Sequence, residues 1–349
     1  MWMAAAFGYN RSFAQTGVMV RPQWRGTAGV YILVLATALM IGLRYEIGAD
    51  WFTYLTNYDT MQLLDYGQAL QTFEYGYATS VFIAGRLDAG MWLANLICAI
   101  LMVLGILRFC LRQENPALTF LVAIPYLVIV VGMGYTRQGV AIGIILAGLA
   151  DADGRSPVKI IVFVLIAALF HRTALLVLPM ALAPLARRNM LQAILGGIAF
   201  LVMAFLLLRQ QSDQLVNTYI TQDYYESGGA IVRVSMNLVP AALALLLRKR
   251  LGFNAYQRDM WSVFALVALA TLPLVVATSF TTVIDRLALF LIPLQLAILP
   301  RLPYVLSRER MTNAALFLAV CGYSAAIQLV WLAFATHASY WVPYKLGFA

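Results

Sequence analysis

Charged residues are scarce in this sequence. Only 11% of its 349 residues are charged, whereas 62% are hydrophobic. A soluble domain usually carries about a quarter charged residues, so this composition excludes an ordinary soluble protein. Histidine and cysteine are also rare, and there is neither a Cys/His cluster with zinc-site spacing nor a glycine-rich phosphate loop. The three cysteines, Cys98, Cys110 and Cys321, lie in apolar runs and are expected to have packing roles.

Long apolar runs recur along the whole chain. Each approaches the roughly 20 residues that a helix needs to cross a bilayer. The sequence therefore predicts an all-α, polytopic helical membrane protein that forms one membrane domain over residues 1–349, an organisation compatible with a GT-C-like architecture. The amino terminus lacks the pattern of a signal peptide. About eleven spans are predicted by this pattern, at 27–43, 90–108, 116–134, 138–150, 159–170, 173–186, 190–208, 232–247, 260–280, 286–300 and 311–335.

Basic residues indicate the orientation. With a cytoplasmic amino terminus, the short cytoplasmic loops collect most of the 24 Lys and Arg residues, as the positive-inside rule requires. This rule accounts for the net charge of +9 better than a nucleic-acid partner does. The orientation holds only if 159–186 forms two short segments, tilted or re-entrant, that meet at His171 and Arg172.

On this topology the unusual polar residues collect on the outer side, in the outer loops 44–89 and 209–231 and at the ends of spans. Arginine binds phosphate oxygens through two parallel hydrogen bonds, and a charge near the membrane needs an acid or an anionic ligand as partner. Outer arginines therefore favour binding of a lipid-linked diphosphate, although each one alone could be a structural residue at a helix end. The candidates are Arg44, Arg137, Arg172, Arg286 and, less strongly, Arg233.

Acids and aromatic residues accompany these arginines. Asp50, then Glu74 and then His171 are candidates for a general base; the alternatives are salt bridges for the acids and a helix-end role for the histidine. Asp50, Glu46 and Glu74 could instead hold a divalent cation, but no metal or other cofactor is required if arginines neutralise the phosphates. Aromatic residues near span ends are typical of an interfacial belt, and sugar stacking is the alternative interpretation. The candidates for sugar stacking are Trp51, Tyr54, Tyr224 and Tyr225.

These residues resemble the motifs of the EpsG-like family of bacterial polysaccharide polymerases, a branch of the Wzy-type enzymes. One family element is similar to Arg44, Gly48, Asp50 and Tyr54, and a glutamate further along the same loop resembles Glu74 in FEYGY. Others are similar to Arg137-Gln138, to Phe170-His171 with Thr173 and Ala174, and to Arg286. The resemblance covers roughly residues 30–300, and loop 209–231 has no counterpart in it.

The resemblance implies a glycosyltransferase that moves a growing glycan from undecaprenyl diphosphate onto a lipid-linked repeat unit. It implies a bacterial inner-membrane protein with its active site facing the periplasm. The implied partners are the lipid-linked oligosaccharide, membrane lipid, a chain-length regulator and a flippase.

Three other interpretations compete with this one. A flippase for a lipid-linked sugar is the main alternative, but transporters usually place charges near the bilayer midplane in inverted repeats, and no repeat is visible here. An acyltransferase with His171 as base would need a donor from the cytoplasmic side. A non-catalytic scaffold would tolerate loss of Arg44 and Asp50.

Overall fold

The computed structural model describes residues 28–186, 230–277, 281–307 and 313–347. Every named element in these ranges is a helix, which confirms the all-α class. Five described helices are long and apolar enough to cross a membrane, and five shorter apolar helices accompany them. The count of eleven crossings stays a prediction. The predicted span 190–208 and nearly all of outer loop 209–231, with Tyr224 and Tyr225, lie outside the described residues.

The chain divides into two compact units, and the prediction of one membrane domain stays a prediction. Unit 1 takes the described residues of 1–151, 169–171 and 296–349, and unit 2 takes those of 152–168 and 172–295. The helices of unit 1 are α1 Ala28–Gly42, α2 Trp51–Gln62, α3 Tyr66–Thr72, α4 Tyr75–Arg86, α5 Gly90–Cys110, α6 Pro116–Gly134 and α7 Thr136–Leu149. Those of unit 2 are α8 Pro157–Ala168, α9 Val177–Ala186, α10 Ala230–Leu246, α11 Ala255–Ala277 and α12 Thr281–Leu289. Helix α13 Ile292–Ile298 crosses the boundary, and α14 Leu302–Val305 and α15 Ala314–Phe334 return to unit 1.

Small residues bring the helices of unit 1 close together. Gly105 of α5 and Gly143 of α7 face each other so closely that a Cβ on either one would meet the other helix. Close approach through small residues is the usual way in which helices pack in membranes, where the hydrophobic effect does not drive association. The helices α5 and α7 therefore form a tight pair inside unit 1.

Helix α6 changes its winding along its length. Residues Ile124–Val131 form a π-helix between two α-helical parts. Pro125 lies at the start of this stretch and lacks the N–H that a regular α-helical turn requires. Such π-helical stretches are frequently found at functional sites.

One end of unit 1 carries paired basic residues. Arg108 lies 2.9 Å from Asp151, and Arg301 lies 2.6 Å from Glu114. Arg108 lies in the last turn of α5, Glu114 precedes α6 and Asp151 follows α7, so these residues share the end opposite to the start of α7. The positive-inside rule predicts that this end is cytoplasmic, and the orientation stays a prediction.

Unit 2 packs α10 against α11 and α12. Val234, Val275, Ile284 and Ala288 form its apolar core. The Tyr256 hydroxyl donates to Ala181 O at 2.6 Å, which ties α11 to α9. A short 3-10 helix, Arg172–Leu176, precedes α9, and α8 ends at Ala168. The predicted break of the helix at His171 and Arg172 is thus confirmed.

Candidate active site

Outer loop 44–89 contains three short helices, α2 to α4. Asp65 caps α3 by accepting a hydrogen bond from Gln68 N at 2.9 Å, while the Gln68 side chain accepts one from Asp65 N. This reciprocal capping box fixes the direction of the chain between α2 and α4. Glu74 stands at the N-cap of α4 in an extended conformation. The sequence after α3 therefore presents the Glu74 carboxylate at a defined helix start.

Glu74 connects Arg137 and His171, both distant in sequence. Arg137 Nη1 donates to Glu74 Oε2 at 2.7 Å, and His171 Nδ1 lies 3.9 Å from Glu74 Oε1. The side chains of Arg137, Glu74 and His171 are 29%, 15% and 13% exposed. Gly76 N donates to Leu169 O at 2.7 Å, which holds the turn containing His171 beside the start of α4. Three predicted site residues thus meet in a half-buried position within unit 1.

Two tyrosines complete what we call the Arg137 cluster, defined by Tyr54, Glu74, Tyr77, Arg137 and His171. The rings of Tyr54 and Tyr77 each lie 5.8 Å from the Arg137 guanidinium carbon, a cation–π distance. Burial raises the pKa of Tyr54, to which the nearby charge of Asp50 adds, and burial raises the pKa of Tyr77 well above its usual range. Both phenols therefore stay protonated at neutral pH and can donate hydrogen bonds.

Two donors in the cluster lack a protein acceptor. Within the described part of the chain, Arg137 Nε and the Tyr77 hydroxyl are buried and make no hydrogen bond. Buried polar groups are nearly always paired, so such donors indicate a missing ligand or water. Arg137 also lies in the first turn of α7, where the helix dipole favours an anion. The arrangement suits an anionic ligand with several acceptor oxygens.

Arg44 lies deeper than a ligand-binding arginine needs to be. Its side chain is 0% exposed, and it donates to Ile41 O, to Ile47 O and, at 2.7 Å, to Thr136 Oγ1. Burial lowers the pKa of Arg44 to about 10, so it remains charged at neutral pH. These three protein acceptors favour a structural role for Arg44, and direct contact with a diphosphate stays a prediction.

Trp51 and Tyr54, both predicted to stack on sugars, are 3% exposed. The Trp51 ring packs against Tyr45 and Trp92, with centroid distances of 6.0 and 5.6 Å. Tyr54 accepts a hydrogen bond from Arg137 N at 3.4 Å. Their positions favour packing and support of the cluster, and sugar stacking stays a prediction for both.

Asp50 precedes α2 and is half-buried. It occupies the N-cap position, but its carboxylate makes no capping hydrogen bond. The other two members of the predicted cation site have cationic partners, since Glu46 pairs with Lys345 at 2.7 Å and Glu74 pairs with Arg137. Among the described residues, no group of three or more His, Cys, Asp and Glu side chains is arranged to hold a metal ion.

Unit 2 holds the remaining predicted arginines. Arg233 of α10 forms an ion pair with Asp285 of α12, and both side chains are largely buried. Arg286, next to Asp285, is exposed, and Arg172 begins the 3-10 helix before α9. Asn237, one turn after Arg233, accepts a hydrogen bond from Gln295 at 2.8 Å and donates to Ala288 O at 2.9 Å. Unit 2 thus has its own buried polar network.

Sequence reasoning missed Thr136 and Tyr77 as members of the site. Thr136 holds Arg44, and Tyr77 flanks Arg137. Sequence spacing could have identified both residues. Thr136 directly precedes Arg137, and Tyr77 lies three residues, or about one helical turn, after Glu74.

Comparison with known proteins assigns the sequence to a family. The sequence profile described as the EpsG family matches residues 28–346, which is nearly the whole chain. No curated protein and no solved structure matches at a significant level. The apolar helices and the extent of the profile match together show that the chain belongs to the EpsG family, as a membrane protein related to polysaccharide biosynthesis.

Proposed function

We propose that this protein is a polysaccharide polymerase of the bacterial inner membrane. It transfers a growing glycan from undecaprenyl diphosphate onto a lipid-linked repeat unit on the periplasmic side. Membership of the EpsG family supports the reaction class. The Arg137 cluster is the proposed reaction site. It brings together polar residues of α2, α4, α7 and the turn at His171.

The observation that carries the proposal is the position of Arg137. Its guanidinium is fixed by Glu74, flanked by two tyrosines and placed in the first turn of α7. Its Nε and the Tyr77 hydroxyl make no hydrogen bond to any part of the chain that the structure describes. A diphosphate offers such oxygens and a matching charge. Arg172, Arg233 and Arg286 of unit 2 are proposed as further diphosphate ligands.

The reaction needs no nucleotide, because the lipid diphosphate activates the sugar. A hydroxyl oxygen of the acceptor's terminal sugar forms a bond to the anomeric carbon of the growing chain. The bond from that carbon to the diphosphate oxygen breaks, the electron pair stays with the leaving lipid diphosphate, and the hydroxyl proton passes to a base. Arginine stabilises the negative charge that develops on the leaving oxygen, and losing one such donor typically costs about 2.7–4 kcal/mol.

Asp50 is the proposed base. Glu74 is committed to Arg137 and to the neighbourhood of His171, so its carboxylate holds the arginine in place. Asp50 stands at the N-cap of α2, one helical turn before Tyr54 of the cluster, and Tyr54 N donates to Asp50 O at 2.9 Å. His171 completes the polar surroundings of Glu74, and no metal is invoked.

Reconstitution tests the proposal. The purified protein is placed in liposomes with two lipid-linked repeat units, and products are sized for chain length. Elongation is expected with the wild type, and Arg137→Ala and Arg137→Lys should both lower the rate at least about 100-fold, because lysine lacks the two-pronged geometry. Arg155→Ala is the matched control, since the Arg155 side chain is 90% exposed and lies outside the cluster. Translocation of the lipid-linked unit without elongation would identify a flippase and overturn the proposal.

A further inference from the structure

The residues after α15 return to the turn that contains Arg44, within unit 1. We call residues 335–347, which follow α15, the C-terminal segment. Tyr45 N donates to Lys345 O at 2.9 Å, Gly48 N donates to Tyr340 O at 3.0 Å, and Gly347 N donates to Leu43 O at 3.1 Å. These three bonds tie the C-terminal segment to both sides of the turn that contains Arg44. The conformation of this turn therefore depends on residues about 300 positions later, a range over which only tertiary contacts act.

The same turn packs on the chain just before Arg137. Gly48 has φ +101°, and a Cβ there would meet Met133 O, so only glycine fits both the conformation and the space. Arg44 reinforces the contact by donating to Thr136 Oγ1 at 2.7 Å. Because Thr136 and Arg137 are adjacent in the first turn of α7, the turn helps to set the position of Arg137.

Trp341 anchors the C-terminal segment on α6. It is 5% exposed, and its Nε1 donates to Ile129 O at 3.0 Å inside the π-helical stretch. Its ring fills the space where a Cβ of Gly134 would lie and packs edge-on against Trp331 at a centroid distance of 4.9 Å. A π-helix has an irregular hydrogen-bond ladder, so an external donor to one of its carbonyls stabilises it. Arg137 follows Gly134 by three residues, and Trp341 thereby fixes the backbone that leads into the cluster.

We propose that the C-terminal segment is a positioning element of the Arg137 cluster, with Trp341 as its anchor and Arg44 as the link to α7. This inference rests on the proposed polymerase reaction, because only that reaction makes the position of Arg137 important for catalysis. Trp341 and Arg44 do not contact substrate in this proposal; they hold Arg137 where a diphosphate can bind.

Hydrogen exchange tests the structural part without any activity. Full-length Trp341→Phe keeps an aromatic ring but removes the bond to Ile129, and Val342→Ala changes the neighbouring residue, which is 58% exposed. In detergent, Trp341→Phe should raise the exchange rates of amides in 43–50 and 133–137 at least about tenfold, while 113–118 at the opposite end keeps its wild-type rate. Val342→Ala should match the wild type. Unchanged exchange in 43–50 and 133–137, or an equal increase in all segments, would overturn the proposal.

Kinetics in the liposome assay test the functional part. Trp341→Phe should raise the KM for the lipid-linked substrate about tenfold, because a displaced Arg137 binds the diphosphate less well, whereas partial unfolding would lower the rate without moving KM. A wild-type KM in a variant whose exchange has increased would show that the segment does not serve the site. Absence of elongation in the wild type itself would instead refute the polymerase, and the exchange result would still decide whether the segment holds Arg137.

Discussion

Arg137 and Glu74 form a 2.7 Å ion pair although 63 positions separate them in the chain. The pair joins the start of α7 to the start of α4, and His171 lies 3.9 Å from the same carboxylate. The Glu74 carboxylate thus brings together three segments that are far apart in the sequence. A substitution that weakens this contact should lower activity by more than its effect on stability explains.

Glu74→Gln should abolish most activity. The amide keeps the shape of the side chain but removes the charge that orients Arg137, and losing a hydrogen bond to a charged group should cost about 1.5–3 kcal/mol of stability. Glu114→Gln is a matched control, since Glu114 has a 16% exposed side chain and a 2.6 Å pair with Arg301 at the opposite end. Thermal unfolding and the liposome assay should show similar stability losses for both variants, but loss of elongation only for Glu74→Gln. Equal elongation by the two variants would contradict the assignment.

Thr136→Val should destabilise unit 1 by removing an acceptor of Arg44. The buried Arg44 Nη2 would then lack its partner, at a cost of about 1–3 kcal/mol. Thr119→Val is the comparison, because Thr119 is also buried but donates only to Asn115 O within its own helix. A lower melting temperature is expected for Thr136→Val than for Thr119→Val. The reverse order would show that Arg44 does not depend on Thr136.

The pair between Glu46 and Lys345 should make docking of the C-terminal segment dependent on pH. The hydrogen bond from Lys345 lowers the pKa of Glu46, and the bond to Glu46 raises the pKa of Lys345. A carboxylate whose pKa is lowered by folding stabilises the fold at any pH above its pKa in the unfolded chain, about 4.3. This contribution is lost as the pH falls through its pKa in the folded protein. A lysine with a raised pKa contributes fully below about 10.4 and loses this as the pH rises through its folded value.

The contact is therefore expected to be complete between about pH 5 and pH 10. Because both side chains reach solvent, high salt should weaken it. Amide exchange in 43–48, corrected for the intrinsic effect of pH, should increase below pH 4 in the wild type. In Glu46→Gln the acid step should disappear. A step of the same size in that variant would assign the acid sensitivity to another group.

Apolar runs predicted most of the helices. The runs at 27–43, 90–108 and 116–134 became Ala28–Gly42, Gly90–Cys110 and Pro116–Gly134. Such runs predict helices well because every backbone N–H and C=O group in a bilayer needs a hydrogen-bond partner, and a helix provides these partners within itself. The break at His171 was also predictable, since one long helix would have reversed the charge bias of all later loops.

The interior of the site was less predictable. The sequence predicted the same role for Arg44 and Arg137. Arg44 is 0% exposed and donates to protein acceptors. Arg137 pairs with Glu74, and its Nε makes no hydrogen bond within the described ranges. The difference arises from contacts with Thr136 and with the C-terminal segment, and no local pattern encodes such contacts. Helix α3 of outer loop 44–89 did have a local sequence pattern, the capping box of Asp65 and Gln68.

The ion pair of Arg233 and Asp285 gives a test that separates packing from catalysis in unit 2. Asp285→Leu alone should destabilise the protein by about 3–5 kcal/mol, because it leaves a largely buried arginine charge without its partner. The double variant Arg233→Met and Asp285→Leu should recover most of that stability, since a buried ion pair can usually be replaced by apolar residues of similar size. If Arg233 also binds a substrate diphosphate, the double variant will melt close to the wild type yet elongate glycans at least about tenfold more slowly. Wild-type elongation by a stable double variant would make the pair purely structural and leave diphosphate binding in unit 2 to Arg172 and Arg286.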